Sequence, residues 1–120
     1  MTGPAGQGGA FTAFTPVCAL ADLAEGSPAA RDVGGVPVVL VRAGGEVFAL
    51  RDMCSHADVA LSEGEADGCA IECWLHGSRF DLRTGFPLEL PATEPVPVYP
   101  VRLDGTDIYV DIDNPINQEN

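Results

Sequence analysis

The sequence predicts an all-β domain, an antiparallel sandwich or barrel with an inserted loop-rich subdomain at about 52–92. Three observations carry this. Short apolar runs flank glycine pairs at Gly34-Gly35 and Gly44-Gly45 and an Asp104-Gly105 pair, the composition of tight hairpins. No stretch of useful length repeats its apolar residues at a helical period. The region between the second and third of these hairpins holds both histidines and three of the four cysteines, and forms no long strand pattern.

Taken in order, residues 1–10, "MTGPAGQGGA", are glycine-rich and polar and are expected to be a flexible tail. The "GQGG" in it follows no strand and opens no helix, so it is weak evidence for a phosphate loop. The folded domain is expected over 11–113. "FTAFTPV" alternates as a strand does, and "LADLAEGSP" fits a short helical turn ending at Gly26. "AARDV" and "VPVVLVR" make a hairpin about Gly34-Gly35, and "VRAGGEVFALRD" makes another about Gly44-Gly45. "CAIECW" and "SRFDL" are short extended pieces within the Cys/His region. Five prolines between Pro87 and Pro100 hold the next segment extended and irregular, because each fixes φ and removes a donor. "VYPVRLDGTDIYVDID" is the closing hairpin, and 114–120 is expected to be a second flexible tail.

The 120 residues fit one domain, and 46% apolar residues suffice for a core. The net charge of −12 argues against nucleic acid, whose phosphates require Lys and Arg, and against an anionic membrane surface. All six basic residues are Arg. The N-terminus has no basic n-region, and the most apolar run, Val33 to Val41, is far too short to span a bilayer. A cytoplasmic protein is expected. In that reducing compartment four cysteines act as metal ligands or buried thiols rather than disulfides.

Cys54 and His56 form one pair, Cys73 and His76 another, with 16 residues between His56 and Cys73. Two thiolates and two imidazoles suit tetrahedral zinc or an iron–sulfur cluster. Zinc fingers usually group cysteines together and histidines together. Here each arm brings one of each, which suits a binuclear cluster with two thiolates on one iron and two imidazoles on the other. A structural Cys2His2 zinc module stays open as an alternative. Cys69 lies four residues before Cys73, and strand alternation would bury it beside positions 71 and 73. Cys18 is expected in the core.

"CSH", sixteen residues, then "CWLHG" resembles the Rieske [2Fe–2S] motif, Cys-x-His-x16-Cys-x-x-His. "HGSRFDLRTGFPLELPA" and "VPVYPVRLDGTDIYV" resemble the stretches that follow it in Rieske ferredoxins, and the likeness covers roughly residues 12–112. The resemblance implies a Rieske-type β-sandwich with a cluster-binding subdomain and one [2Fe–2S] cluster held by Cys54, His56, Cys73 and His76. Two imidazoles in place of thiolates lower the negative charge of the cluster, so the electron enters at higher potential than in a four-Cys ferredoxin. High-potential members carry an additional cysteine in each loop, joined as a disulfide. The matching positions here are Val59 and Leu75. Those members also place a serine and a tyrosine after the second histidine as hydrogen-bond donors. Ser78 keeps the first, and Phe80 lacks the hydroxyl of the second. A potential in the lower part of the Rieske range, about −150 to +300 mV, is expected. "GFPLELP" matches a third loop that covers the cluster, with Phe86 and Pro87 as its shield.

The two histidines are both used by such a cluster. None remains for a second iron site or a catalytic pair, and no length remains for a nucleotide-binding unit. The expected activity is electron transfer rather than catalysis. Soluble chains of this kind resemble ferredoxin components of aromatic-ring dioxygenases, which pass electrons from a flavin-dependent reductase to an oxygenase. They also resemble Rieske proteins found beside iron–sulfur assembly proteins of the Suf type. The small Rieske-like subunit of nitrite reductases is a further alternative, though it usually lacks these ligands. Asp52, Asp58, Glu63, Glu65, Asp67 and Glu72 are expected to form an acidic ring for transient, salt-sensitive docking on basic partner surfaces.

Overall fold

The structure is a computed structural model that describes residues 14–55, 58–75, 77–90 and 92–117. Among the described residues ten strands form three antiparallel sheets. β1 (Thr15–Ala19), β10 (Asp107–Val110) and β9 (Val101–Asp104) make one sheet in that order. β2 (Ala29–Val33), β3 (Val36–Ala43), β4 (Glu46–Arg51) and β8 (Val98–Tyr99) make the second. β5 (Glu65–Asp67), β6 (Ala70–Glu72) and β7 (Arg79–Asp81) make the third, inside the inserted region. Single 3₁₀ turns at Leu20–Asp22 and Leu61–Glu63 are the helical elements among the described residues, and no helix there is long and apolar enough to cross a membrane.

The glycine pairs turn the chain as the sequence requires. Gly34 and Gly35 both have positive φ, as do Gly44 and Gly45, which is the two-residue turn that matches strand twist. The third hairpin turns at Gly105-Thr106, one residue later than expected, because Asp104 pairs with Asp107 and positive φ falls on Gly105.

The β2–β3–β4–β8 sheet is the centre of the molecule and is buried on both faces. Val38, Leu40, Ala49 and Tyr99 point to one side and pack with Leu23, Val33, Ile108 and Val110 against the β1–β10–β9 sheet. Val39, Val41, Phe48, Leu50 and Val98 point to the other and pack with Leu61, Ile71, Phe80 and Leu82 of the inserted region. This explains the unbroken apolar run "VPVVLV": a strand covered on both faces has no polar side to alternate.

The start of the tail expected over 114–120 is tied to the domain as far as it is described. Ile116 N–H donates to Val98 O at 2.7 Å, and the Asn117 side chain makes three hydrogen bonds. Residues 1–13 and 118–120 lie outside the described residues.

Candidate metal centre

Cys54 and Cys73 open two loops that close in the same way. Cys54 N–H donates to Val59 O at 2.9 Å, and Cys73 N–H donates to Ser78 O at 2.7 Å. Each bond spans six residues, so "CSHADV" and "CWLHGS" are structural counterparts. The second loop is tightened by a bond from Gly77 N–H to Cys73 O, with Gly77 at φ 78°. Both cysteines are buried, at 3% and 1% exposure, and both belong to the apolar cluster on the inserted region's side of the central sheet. β4 delivers the first loop and β6 the second. Gly64 brings them side by side: a Cβ there would collide with the Glu72 carbonyl, so only glycine lets the 3₁₀ turn abut β6.

Asp52 anchors the first loop. It is 7% exposed, and its two carboxylate oxygens accept from Ser62 N–H and Ser62 Oγ–H, each at 2.7 Å. A buried carboxylate requires such donors. This corrects the acidic ring, which loses Asp52. Asp58, Glu63, Glu65, Asp67 and Glu72 are exposed. Glu65 and Glu72 stand directly opposite each other in the β5–β6 pair, a repulsive placement, and with Glu63, Gly64 and Trp74 they line a groove of about 280 Å³. Trp74, next to Cys73, is 50% exposed.

A third segment, 88–96 with residue 91 outside the described residues, is bonded to both loops. Its ends are held by Leu88 N–H to Arg79 O and Val96 N–H to Gly85 O. Between them, Ala92 N–H donates to Ser78 Oγ at 3.1 Å, and Ser55 Oγ–H donates to Glu94 O at 2.5 Å. One serine from each loop therefore stitches the third segment down. Ser78 is fully buried; its oxygen accepts from Ala92, which leaves its own proton to be donated elsewhere. Ala92 is buried with Cys54 and Cys73. Phe86 is 56% exposed, and Pro87 is half-buried and bridges to Phe80 on β7. Phe80 is fully buried in the cluster that holds the two cysteines. Val59 packs against that cluster, and Leu75 is 40% exposed.

His56 and His76, the other two expected ligands, lie outside the described residues. Cys69 is a correction: it is exposed, because Gly68 at φ 63° turns the chain there and β6 begins only at Ala70. The alternation that would bury Cys69 does not extend back through a turn. Cys18 is half-buried on β1 against the other face's cluster. Sequence reasoning missed Ser55 and Ala92. The first could have been found as the hydroxyl set between two ligand positions; the second carries no local signal.

Two buried thiols at matching positions of two equal loops, a buried serine beside them and a covering segment fit a cluster with one cysteine from each loop. The Rieske [2Fe–2S] domain family matches residues 13–100. The chain belongs to the Rieske family. It is 43% identical over 101 residues to the ferredoxin component of biphenyl 2,3-dioxygenase from Rhodococcus jostii (strain RHA1), covering 84% of this chain and 94% of that one. In structure this Rieske chain resembles the ferredoxin of carbazole 1,9a-dioxygenase from Nocardioides aromaticivorans IC177, with 44% identity and a TM-score of 0.79 over 81% of this chain and 95% of that one. It also resembles a chain in a complex of reduced oxygenase and oxidized ferredoxin of carbazole 1,9a-dioxygenase, at 36% identity and a TM-score of 0.77, over 82% and 92% of the two chains. A Rieske domain of this kind takes one [2Fe–2S] cluster.

Proposed function

We propose that this protein is the Rieske ferredoxin of a multicomponent dioxygenase, a cytoplasmic one-electron carrier from a flavin-dependent reductase to a terminal oxygenase. The observation that carries this is likeness to dioxygenase ferredoxins over nearly their whole length, 94% and 95% of the two compared above. The Suf-associated and zinc alternatives have no comparable support.

Cys54 and Cys73 would hold one iron and His56 and His76 the other, within the subdomain at about 52–92. When bound, the cluster supplies a one-electron couple whose potential is set by its ligands, donors and burial. The chain's own residues do the rest. The six-residue loops fix the thiols with their backbones already hydrogen-bonded. The low-dielectric cluster of Leu61, Ile71, Phe80 and Ala92 keeps water from them. Ser78, whose oxygen accepts from Ala92, would have its own proton to donate to the cluster, and Phe80 offers none, so the potential would lie in the lower Rieske range. Phe86 and Pro87 flank the covering segment. The exposed acids Asp58, Glu63, Glu65, Asp67 and Glu72 steer a basic partner to this end in a transient, salt-sensitive encounter.

EPR of the dithionite-reduced protein, with iron and sulfide analysis, tests the reading. Two irons, two sulfides and an average g below that of four-Cys centres are expected; a colourless zinc protein would refute it. Reduction by the partner reductase should slow as salt rises, and a flat dependence would remove the steering role.

A further inference from the structure

The C-terminal segment is bonded to the end of the segment that crosses the two cysteine loops, although the family match ends at residue 100. Among the described residues β8 pairs with β4 along one edge, through Ala49–Tyr99 and Leu50–Val98. Ile116 and Asn117 take its other edge: Ile116 N–H donates to Val98 O at 2.7 Å, and Val98 N–H donates to Asn117 Oδ1 at 3.0 Å. The same side chain then uses its amide group twice. Asn117 Nδ2–H donates to Val96 O at 2.7 Å and to Thr84 O at 2.9 Å. One amide thus joins the turn after β7, the end of the covering segment and the first residue of β8.

The knot is tight. Val96 and Val98 are 1% and 2% exposed, so Val96 O and Val98 N–H would be costly to leave unpaired. Gly85, at φ 76°, packs into the same point: a Cβ there would strike the Val96 carbonyl and come within 2.7 Å of Asn117 Nδ2. Gly85 O also accepts Val96 N–H, so Val96 is held from both sides by Gly85 and Asn117. Val96 is the downstream anchor of the segment that reaches back to Ala92 and Ser78.

We propose that Asn117 is a positioning residue for the covering segment: by fixing Val96 it holds 88–96 down, keeps Ala92 N–H on Ser78 Oγ, and so keeps the Ser78 proton directed at the cluster. This rests on the reading that the cluster lies between the Cys54 and Cys73 loops.

The test uses the full-length holoprotein with Asn117→Ala and Asn117→Asp, the latter keeping the acceptor for Val98 N–H and losing both donors. Hydrogen exchange is compared over 84–98 and 29–51, with the rate of cluster release to a chelator and the midpoint potential. In Asn117→Ala, exchange over 84–98 should quicken on the order of tenfold while 29–51 stays at the wild-type rate. Cluster release should quicken several-fold, and the potential should fall below wild type. Asn117→Asp should release its cluster faster than wild type. Equal acceleration in both regions would make Asn117 a general stabiliser and overturn the proposal, as would wild-type exchange over 84–98 or an unchanged potential. Iron absent from wild-type protein would instead refute the cluster reading, and the exchange comparison would still report on the clamp.

Discussion

The two faces of the central sheet are built from the same strands and held by different means. On the β1–β10–β9 side, whole strands cover Val38, Leu40, Ala49 and Tyr99, and the cover is a regular sheet. On the other side, Val39, Val41, Phe48 and Leu50 are covered by three short strands of three residues each, two thiol-bearing loops and a proline-rich segment. That cover adds hydroxyls and an asparagine side chain to its short ladders, where the first uses longer ladders. The difference teaches where stability resides. The first face is closed by its own strands; the second is expected to depend on the metal centre for bonds that its sparse secondary structure lacks.

The largest expected effect follows directly. Cluster removal by a chelator, or Cys73→Ser, should abolish hydrogen-exchange protection across β5–β7 and 88–96 while β2, β3, β9 and β10 remain protected. If both regions lose protection together, the two faces form one cooperative unit and the contrast is wrong. Next in size is Phe80→Ala, which leaves a cavity beside the thiols and should cost about 3–5 kcal/mol. Ile108→Ala, on the opposite face, should cost about 2–5 kcal/mol. Denaturant unfolding would show both losses, but only Phe80→Ala should also speed cluster release.

How much of this was legible in the sequence follows the same division. Gly34-Gly35 and Gly44-Gly45 could be read because a two-residue hairpin demands positive φ, a purely local requirement. The matching of the Cys54 and Cys73 segments could be read because each closes on itself within six residues. The hold on the third segment could not: Ser55 meets Glu94 from 39 positions away, and Asn117 meets Thr84 from 33. Nothing near Asn117 in the chain marks it as more than a polar residue in a polar tail. Asp52 reads as one more surface acid until Ser62 is seen against it. Cys69 is exposed where alternation would bury it, because alternation says nothing of where a turn begins.

A smaller effect is expected at Ser55. Ser55→Ala removes one hydrogen bond worth about 1 kcal/mol and should speed cluster release about fivefold. Ser55→Thr, which restores a hydroxyl, should be slower to release than Ser55→Ala. Visible absorbance during chelation measures both. Equal rates for wild type and Ser55→Ala would mean that the covering segment is held without this stitch.

The smallest effect belongs to the face closed by its own strands and appears only in alkali. Burial pushes the Tyr99 phenol above its ordinary value of 10.0, with nearby Arg51 partly opposing. Burial also raises the Cys18 thiol above 9.0, opposed by Arg31 and reinforced by Asp22. In each case the folded chain holds its proton more tightly than the unfolded chain does. The stabilisation is therefore complete below the unfolded pKa and is lost as pH rises from there through the folded pKa. Stability should begin to fall near pH 9, where the unfolded Cys18 thiol ionises, and more steeply above pH 10, where the unfolded Tyr99 phenol does. Tyr99→Phe should flatten the upper part of that fall, and Cys18→Ala the lower. Cys18 lies in the β1–β10–β9 sheet and Tyr99 packs against it. The reduced EPR spectrum at neutral pH should therefore be the same in both variants as in wild type. A changed spectrum would mean that the two faces communicate through the central sheet.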